Sequence, residues 1–180
     1  CRMSAGEVYD NTLSWAKTYD PDFAKVLERE PETAKDALAI GRGGAKPRKD
    51  IGRWDEVKGY MGFMFDKYYN AEGEYPQGFE SSLIADVLKT YLAAYSSEDD
   101  QSAWFDKMKD VAEKFGFARE MKEYKANPDA YKGSIGDISS FVRVAITGKQ
   151  NAPDLYTVMK ILGENKSRER IEKQIERLGG

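Results

Sequence analysis

Apolar residues recur along this chain at steps of three and four, the spacing that lines one face of an α-helix, almost from end to end. Ser4-Ala5-Gly6-Glu7 has the spacing of a helix-opening capping box, and Val8, Thr12, Trp15, Ala16 and Tyr19 follow on one stripe. Asp20-Pro21 ends that helix and opens a second, because proline suits a first turn where its missing N–H leaves nothing unbonded. Phe23, Val26 and Leu27 form the apolar side of the second helix. Pro31 opens a third, through Ala34, Ala37 and Leu38.

The pattern breaks between Gly41 and Asp50, where glycines and a proline predict a loop. A long aromatic helix is predicted from Arg53 to Tyr69, with Trp54, Tyr60, Phe63, Phe65 and Tyr68 mostly in the core. Another runs from Glu80 to Tyr95 and buries Leu83, Val87, Leu88, Tyr91 and Leu92. Ser97 to Gln101 reads as a turn and cap. The next helix carries Trp104, Phe105, Met108, Val111, Ala112 and Phe115, with Gly116 as its stop. A short helical stretch reaches Tyr124, and a polar loop holds Asn127-Pro128 and Gly133. The predicted last three helices are Asp137 to Thr147, Pro153 to Gly163, and Ser167 to Leu178. The last of these, from Lys166 to Glu176, mixes charge signs and reads as an exposed face with local pairs. No segment alternates as a strand would. The fold class is all-α, about eight to ten helices in two packed parts, divided as 1–96 and 97–180.

Composition narrows the chemistry. Hydrophobic residues make up 41% and charged residues 33% of the 180 residues, an ordinary globular balance, and no apolar run is long enough to span a membrane. The single cysteine, Cys1, permits no internal disulfide and fits a cytoplasmic home. It also stands where an initiator Met is expected, which points to a piece of a longer protein. The chain has no histidine. That removes the commonest general base, Ser-His and Cys-His nucleophile pairs and most transition-metal sites, and no Gly-rich phosphate loop occurs. No catalytic residue, metal ligand or cofactor is therefore expected on this chain. A net charge of −3 gives no global attraction to nucleic acid, so any such attraction must be local. The best local patch is Arg42, Lys46, Arg48, Lys49 and Arg53, with one further basic residue, Lys149, in the polar stretch after Gly148. These six are candidate contacts to backbone phosphate.

The segment from Phe141 to Gly163 carries an Arg, an apolar stretch ending Thr-Gly, a short polar loop, Pro-x-Leu, and a helix ending Leu-Gly. In the order and spacing of Arg143, Thr147, Gly148, Pro153, Leu155, Leu162 and Gly163 it resembles the anticodon-binding domain of bacterial glutamyl-tRNA synthetases, which are class I aminoacyl-tRNA synthetases. An Arg near the start of the family's last helix is matched by Arg168 or Arg170. Earlier residues, Met3-Ser4-Ala5, Val8-Tyr9, Trp15-Ala16, Tyr19-Asp20, Phe23, Pro47 to Ile51 and Trp54, look like one subgroup of the same enzymes, in which this stretch follows the catalytic domain.

The resemblance implies a reader of the tRNA anticodon stem-loop, with tRNA-Glu as partner and neither DNA nor a membrane. It places Arg143, Thr147, Gly148, Ala152, Pro153 and Leu155 at the anticodon. Such readers splay loop bases and hydrogen-bond their edges, and the polar run Lys149-Gln150-Asn151 and an exposed helix start at Pro153 suit that task. The synthetase motif His-x-Gly-His cannot occur in this chain, and Arg2-Met3-Ser4-Ala5 only faintly echoes Lys-Met-Ser-Lys-Ser. Adenylation with ATP and Mg, and transfer of glutamate to tRNA, then belong to a catalytic domain outside these residues, and the default state is a monomer. Two other readings stay open: the helical cage of a class I lysyl-tRNA synthetase, and a helical protein–protein module that no longer binds RNA.

Overall fold

The computed structural model describes residues 4–40 and 57–179, and contains ten α-helices among them. They are α1 Ala5–Tyr19, α2 Pro21–Arg29, α3 Pro31–Ala39, α4 Val57–Met61, α5 Ser81–Ala94, α6 Gln101–Lys114, α7 Met121–Ala126, α8 Ile135–Thr147, α9 Leu155–Leu162 and α10 Glu164–Arg177. No strand occurs among the described residues, only an isolated parallel bridge between Ala118 and Ser134. The all-α expectation holds. None of the described helices is long and apolar enough to cross a membrane. The described residues fall into two compact units, one holding α1 to α4 with α9, the other α5 to α8 with α10. This differs from a division in chain order at residues 96 and 97. The helices on either side of that point share a unit, and Trp104 of α6 donates its ring N–H to the Tyr91 hydroxyl of α5 at 2.9 Å.

In the first unit α1 packs on α2 and α3, and α9 lies against α3. Ser4 and Glu7 form the capping box: the Ser4 hydroxyl accepts the Glu7 N–H and the Glu7 carboxylate accepts the Ser4 N–H, each at 3.2 Å. Asp20 closes α1 and opens α2, accepting the Phe23 N–H at 3.2 Å on one oxygen and the Lys58 ammonium at 3.0 Å on the other. Phe23, Leu27, Ala34 and Ala37 are fully buried behind these joints.

The long aromatic helix expected over residues 53–69 does not form as one piece. Within its described part, α4 ends at Met61, a 3-10 turn takes Gly62–Met64, and Phe65 is extended. Gly62, Phe63, Met64 and Phe65 are all buried. Four consecutive inward residues cannot share one face of a helix that turns ~100° per residue, so the backbone leaves the helix to bury them all. Glycines at 59 and 62 make that departure inexpensive. Phe63 and Phe65 are core as expected, Tyr60 and Tyr68 are half-buried, and Trp54 lies outside the described residues.

In the second unit α8 runs through the middle, with α5, α6 and α10 packed around it. Phe141 is completely buried and meets Phe79 edge-on, with ring centroids 5.1 Å apart. Burying one such ring is worth about 1.5–3 kcal/mol. α7 contributes no buried residue. Three helix starts differ from the pattern-based ones, and α10 begins at Glu164, three residues before Ser167. α8 begins at Ile135, because Ser134 and Asp137 cap it, the Ser134 N–H donating to the Asp137 carboxylate at 2.8 Å. α9 begins at Leu155, two residues after Pro153.

Candidate nucleic-acid interface

The expected site centres on the C-terminal end of α8, where local chemistry builds a fixed turn. Gly148 caps the helix in the left-handed conformation, φ 73°, and its N–H returns to the Val144 carbonyl at 2.8 Å. The Thr147 hydroxyl accepts the Lys149 N–H at 3.1 Å. Its single proton faces two carbonyls, Arg143 at 2.7 Å and Lys149 at 3.0 Å, and the shorter contact is a back-bond one turn down the helix. Thr147 is buried and therefore shapes the turn from inside. Lys149, Gln150 and Asn151 stand exposed on it, and Arg143 is half-buried one helical turn below Thr147. The structure thus brings Arg143, Thr147, Gly148 and Lys149 together.

The turn is also pressed from outside its own helix. A Cβ on Gly148 would collide with the Asn70 carbonyl oxygen, and one on Gly73 would collide with the Gly148 carbonyl oxygen. The loop of residues 70–75 therefore touches the end of α8 backbone to backbone. Asn70 organises that loop, its side chain accepting the Glu72 N–H at 3.0 Å. The Gln150 amide, on the turn, donates to the Glu74 carbonyl at 3.0 Å.

Ala152, Pro153 and Leu155 belong to the other compact unit. Ala152 is half-buried, Pro153 buried, and Leu155 only 2% exposed in the face of α9. Pro153 does not open the helix as the sequence suggested. Asp154 does, its carboxylate accepting the Thr157 N–H at 3.1 Å and the Thr157 hydroxyl at 2.7 Å. A carboxylate thus takes up one of the backbone N–H groups at that helix start. The basic residues Arg42, Lys46, Arg48, Lys49 and Arg53 lie outside the described residues.

Sequence reasoning missed the role of α10. Its charged run is not simply an exposed face. Arg170 is 3% exposed and donates to the Ile146 carbonyl at 2.7 Å, putting a cation on the C-terminal end of α8. Arg168 donates to the Leu92 and Tyr95 carbonyls at 3.3 and 2.8 Å, doing the same for α5. Two arginines of one helix cap two others. Only pairs such as Glu169 with Lys173, at 2.9 Å, match the expected surface reading. The available signal was positional: Arg170, Gln174 and Arg177 fall at helical spacing beside Ile171 and Ile175, where an apolar stripe belongs.

Residues 48–175, more than half of the chain, match a family model described as an anticodon binding domain. The chain belongs to this anticodon-binding domain family. The domain is also similar to three curated proteins named glutamate–tRNA ligase. It is 38% identical to that of Acetivibrio thermocellus over 172 residues, covering 96% of this chain and 32% of the relative. Against Clostridium beijerinckii it is 38% identical over 176 residues, 95% of this chain and 32% of the relative. Against Sorangium cellulosum it is 39% identical over 172 residues, 94% and 30%. The anticodon-binding domain spans about a third of the length of the curated relatives it matches. The turn at Thr147–Asn151 and all of α8 fall inside the stretch matched by the family model.

Proposed function

We propose that this chain recognises the anticodon stem-loop of tRNA, most specifically tRNA-Glu, as the anticodon-reading part of a glutamate–tRNA ligase. The family match over residues 48–175 carries the reading. The α8 turn supports it physically: Lys149, Gln150 and Asn151 present a cation and two amides at a rigid helix end, with the Arg143 guanidinium one turn away. Unstacked bases offer donors and acceptors that such groups match, and an incorrect base leaves one of them unpaired. Thr147, Gly148, Pro153 and Leu155 act by holding backbone and neighbours in place, Ala152 by admitting a close approach. Lys149, together with Arg42, Lys46, Arg48, Lys49 and Arg53, supplies attraction to backbone phosphate. ATP, Mg and the ligation chemistry belong to the remainder of such an enzyme, which acts in the cytoplasm as a monomer.

Equilibrium binding to tRNA-Glu, tRNA-Lys and tRNA-Gln transcripts across a salt series tests this. Preference for tRNA-Glu is expected, with affinity falling as salt rises. Arg143→Ala is expected to weaken tRNA-Glu binding by about 1.5–3 kcal/mol, the worth of a hydrogen bond to a charged group. Preference for tRNA-Lys moves the assignment to the lysyl enzymes. Absence of salt-dependent binding to all three leaves the protein–protein module.

A further inference from the structure

We infer that Gln174 and Arg177 are positioning residues for anticodon recognition: from α10 they clamp the loop of residues 70–75 against the end of α8 and so hold the Gly148–Asn151 turn in its reading position. The inference rests on the function proposed above.

Gln174 is 1% exposed, and its amide is used on both sides. The nitrogen donates to the Ala71 carbonyl at 2.6 Å, and the oxygen accepts the Tyr75 hydroxyl at 2.8 Å and Arg177 at 3.0 Å. Arg177 donates to the Gly73 carbonyl at 2.9 Å, and its guanidinium lies 5.8 Å from the centroid of the Tyr75 ring. The loop is thus tied to α10 at three successive odd positions, 71, 73 and 75. Its opposite side is the glycine contact with Gly148 and the Glu74 carbonyl that holds Gln150.

Within its own helix the turn after Gly148 is fixed by the Thr147 hydroxyl and the Gly148 N–H. From outside that helix the loop presses on it, and α10 holds the loop. Burying the Gln174 amide costs desolvation, and an apolar α10 would leave the carbonyls of Ala71 and Gly73 without these donors. Groups that touch no RNA base can therefore decide how sharply the turn distinguishes bases, because a reading site loosened by ~1 Å discriminates poorly.

The test combines amide exchange of the free 180-residue chain with binding of an anticodon stem-loop RNA and of the same RNA carrying one altered anticodon base. Arg177→Ala and the milder Tyr75→Phe are compared with Arg177→Lys. Exchange at the Gly148, Lys149 and Gln150 amides is expected to rise about tenfold in Arg177→Ala while α6 amides stay at wild-type rates. The preference for the unaltered anticodon should fall about fivefold, less in Tyr75→Phe, and Arg177→Lys should recover part of it by reaching the Gly73 carbonyl. Exchange that rises no more in the turn than in α6, or a preference equal to wild type, overturns the inference. A wild-type chain that binds both RNAs equally instead overturns the proposed function, and the exchange result then judges the clamp by itself.

Discussion

At the scale of one residue, Gly148 is constrained both by its own backbone and by a neighbouring carbonyl. Its φ of 73° belongs to a region that costs a side chain strain, and the Asn70 carbonyl occupies the space a Cβ would need. Gly148→Ala is expected to cost about 1–3 kcal/mol in urea unfolding; a loss within error of zero contradicts both arguments. Asp20 carries a second residue-scale effect. Burial pushes its carboxyl up, but the Lys58 and Phe23 hydrogen bonds outweigh this and hold it below its ordinary value. Lys58 is raised by the same bond, with the Tyr68 ring 4.4 Å from its ammonium. A lowered carboxyl contributes stability that is present above an ordinary pKa of about 3.9 and is lost as pH falls through the folded value. A raised lysine contributes below about 10.4 and loses it as pH rises further, so the pair acts between about pH 4 and 10. Asp20→Asn keeps a capping oxygen and should flatten the acid side of the stability profile. Asp20→Ala should cost about 1 kcal/mol more at neutral pH. An unchanged acid limb in Asp20→Asn refutes the pairing argument.

At the scale of elements, helix ends decide more than helix middles. Periodicity located α1, α2, α3, α5 and α6 closely, because each buries one stripe, and the starts of α1, α2, α3 and α6 carry a recognisable cap or proline. It overran α4, where four consecutive buried residues required a different backbone, and it placed the start of α9 at Pro153 when Asp154 supplies the bond. α10 shows what charge patterns conceal. The same residue type one turn from an exposed ion pair is a buried cap, because the carbonyl it meets belongs to a helix distant in sequence. Arg170→Ala should cost about 2–4 kcal/mol in thermal or urea unfolding, combining a lost charged hydrogen bond with a buried void. Arg168→Ala, whose side chain is 36% exposed, should cost about 1–2 kcal/mol. The reverse order argues against α10 as a fastening helix.

For the whole molecule, the residues expected at the anticodon do not all belong to one compact unit. Arg143, Thr147, Gly148 and Lys149 fall in one, and Ala152, Pro153 and Leu155 in the other. If Lys149 meets backbone phosphate as proposed, Lys149→Ala should lower the slope of log affinity against log salt by about 1. An unaffected slope removes Lys149 from the phosphate contacts. Sequence by itself determined the helical class, because a period of three to four is written into each segment, and it identified the Thr-Gly turn and the family, because those depend on residue types at fixed local offsets. It also excluded histidine-dependent chemistry outright. Only the tertiary structure decided which charges are solvated and which cap another helix, where α4 breaks, and that residues 70–75 and α10 brace the turn after α8. Those outcomes depend on carbonyls and glycines separated by as much as a hundred residues along the chain, such as Gly73 and Arg177. No local pattern encodes which distant backbone group will arrive needing a donor.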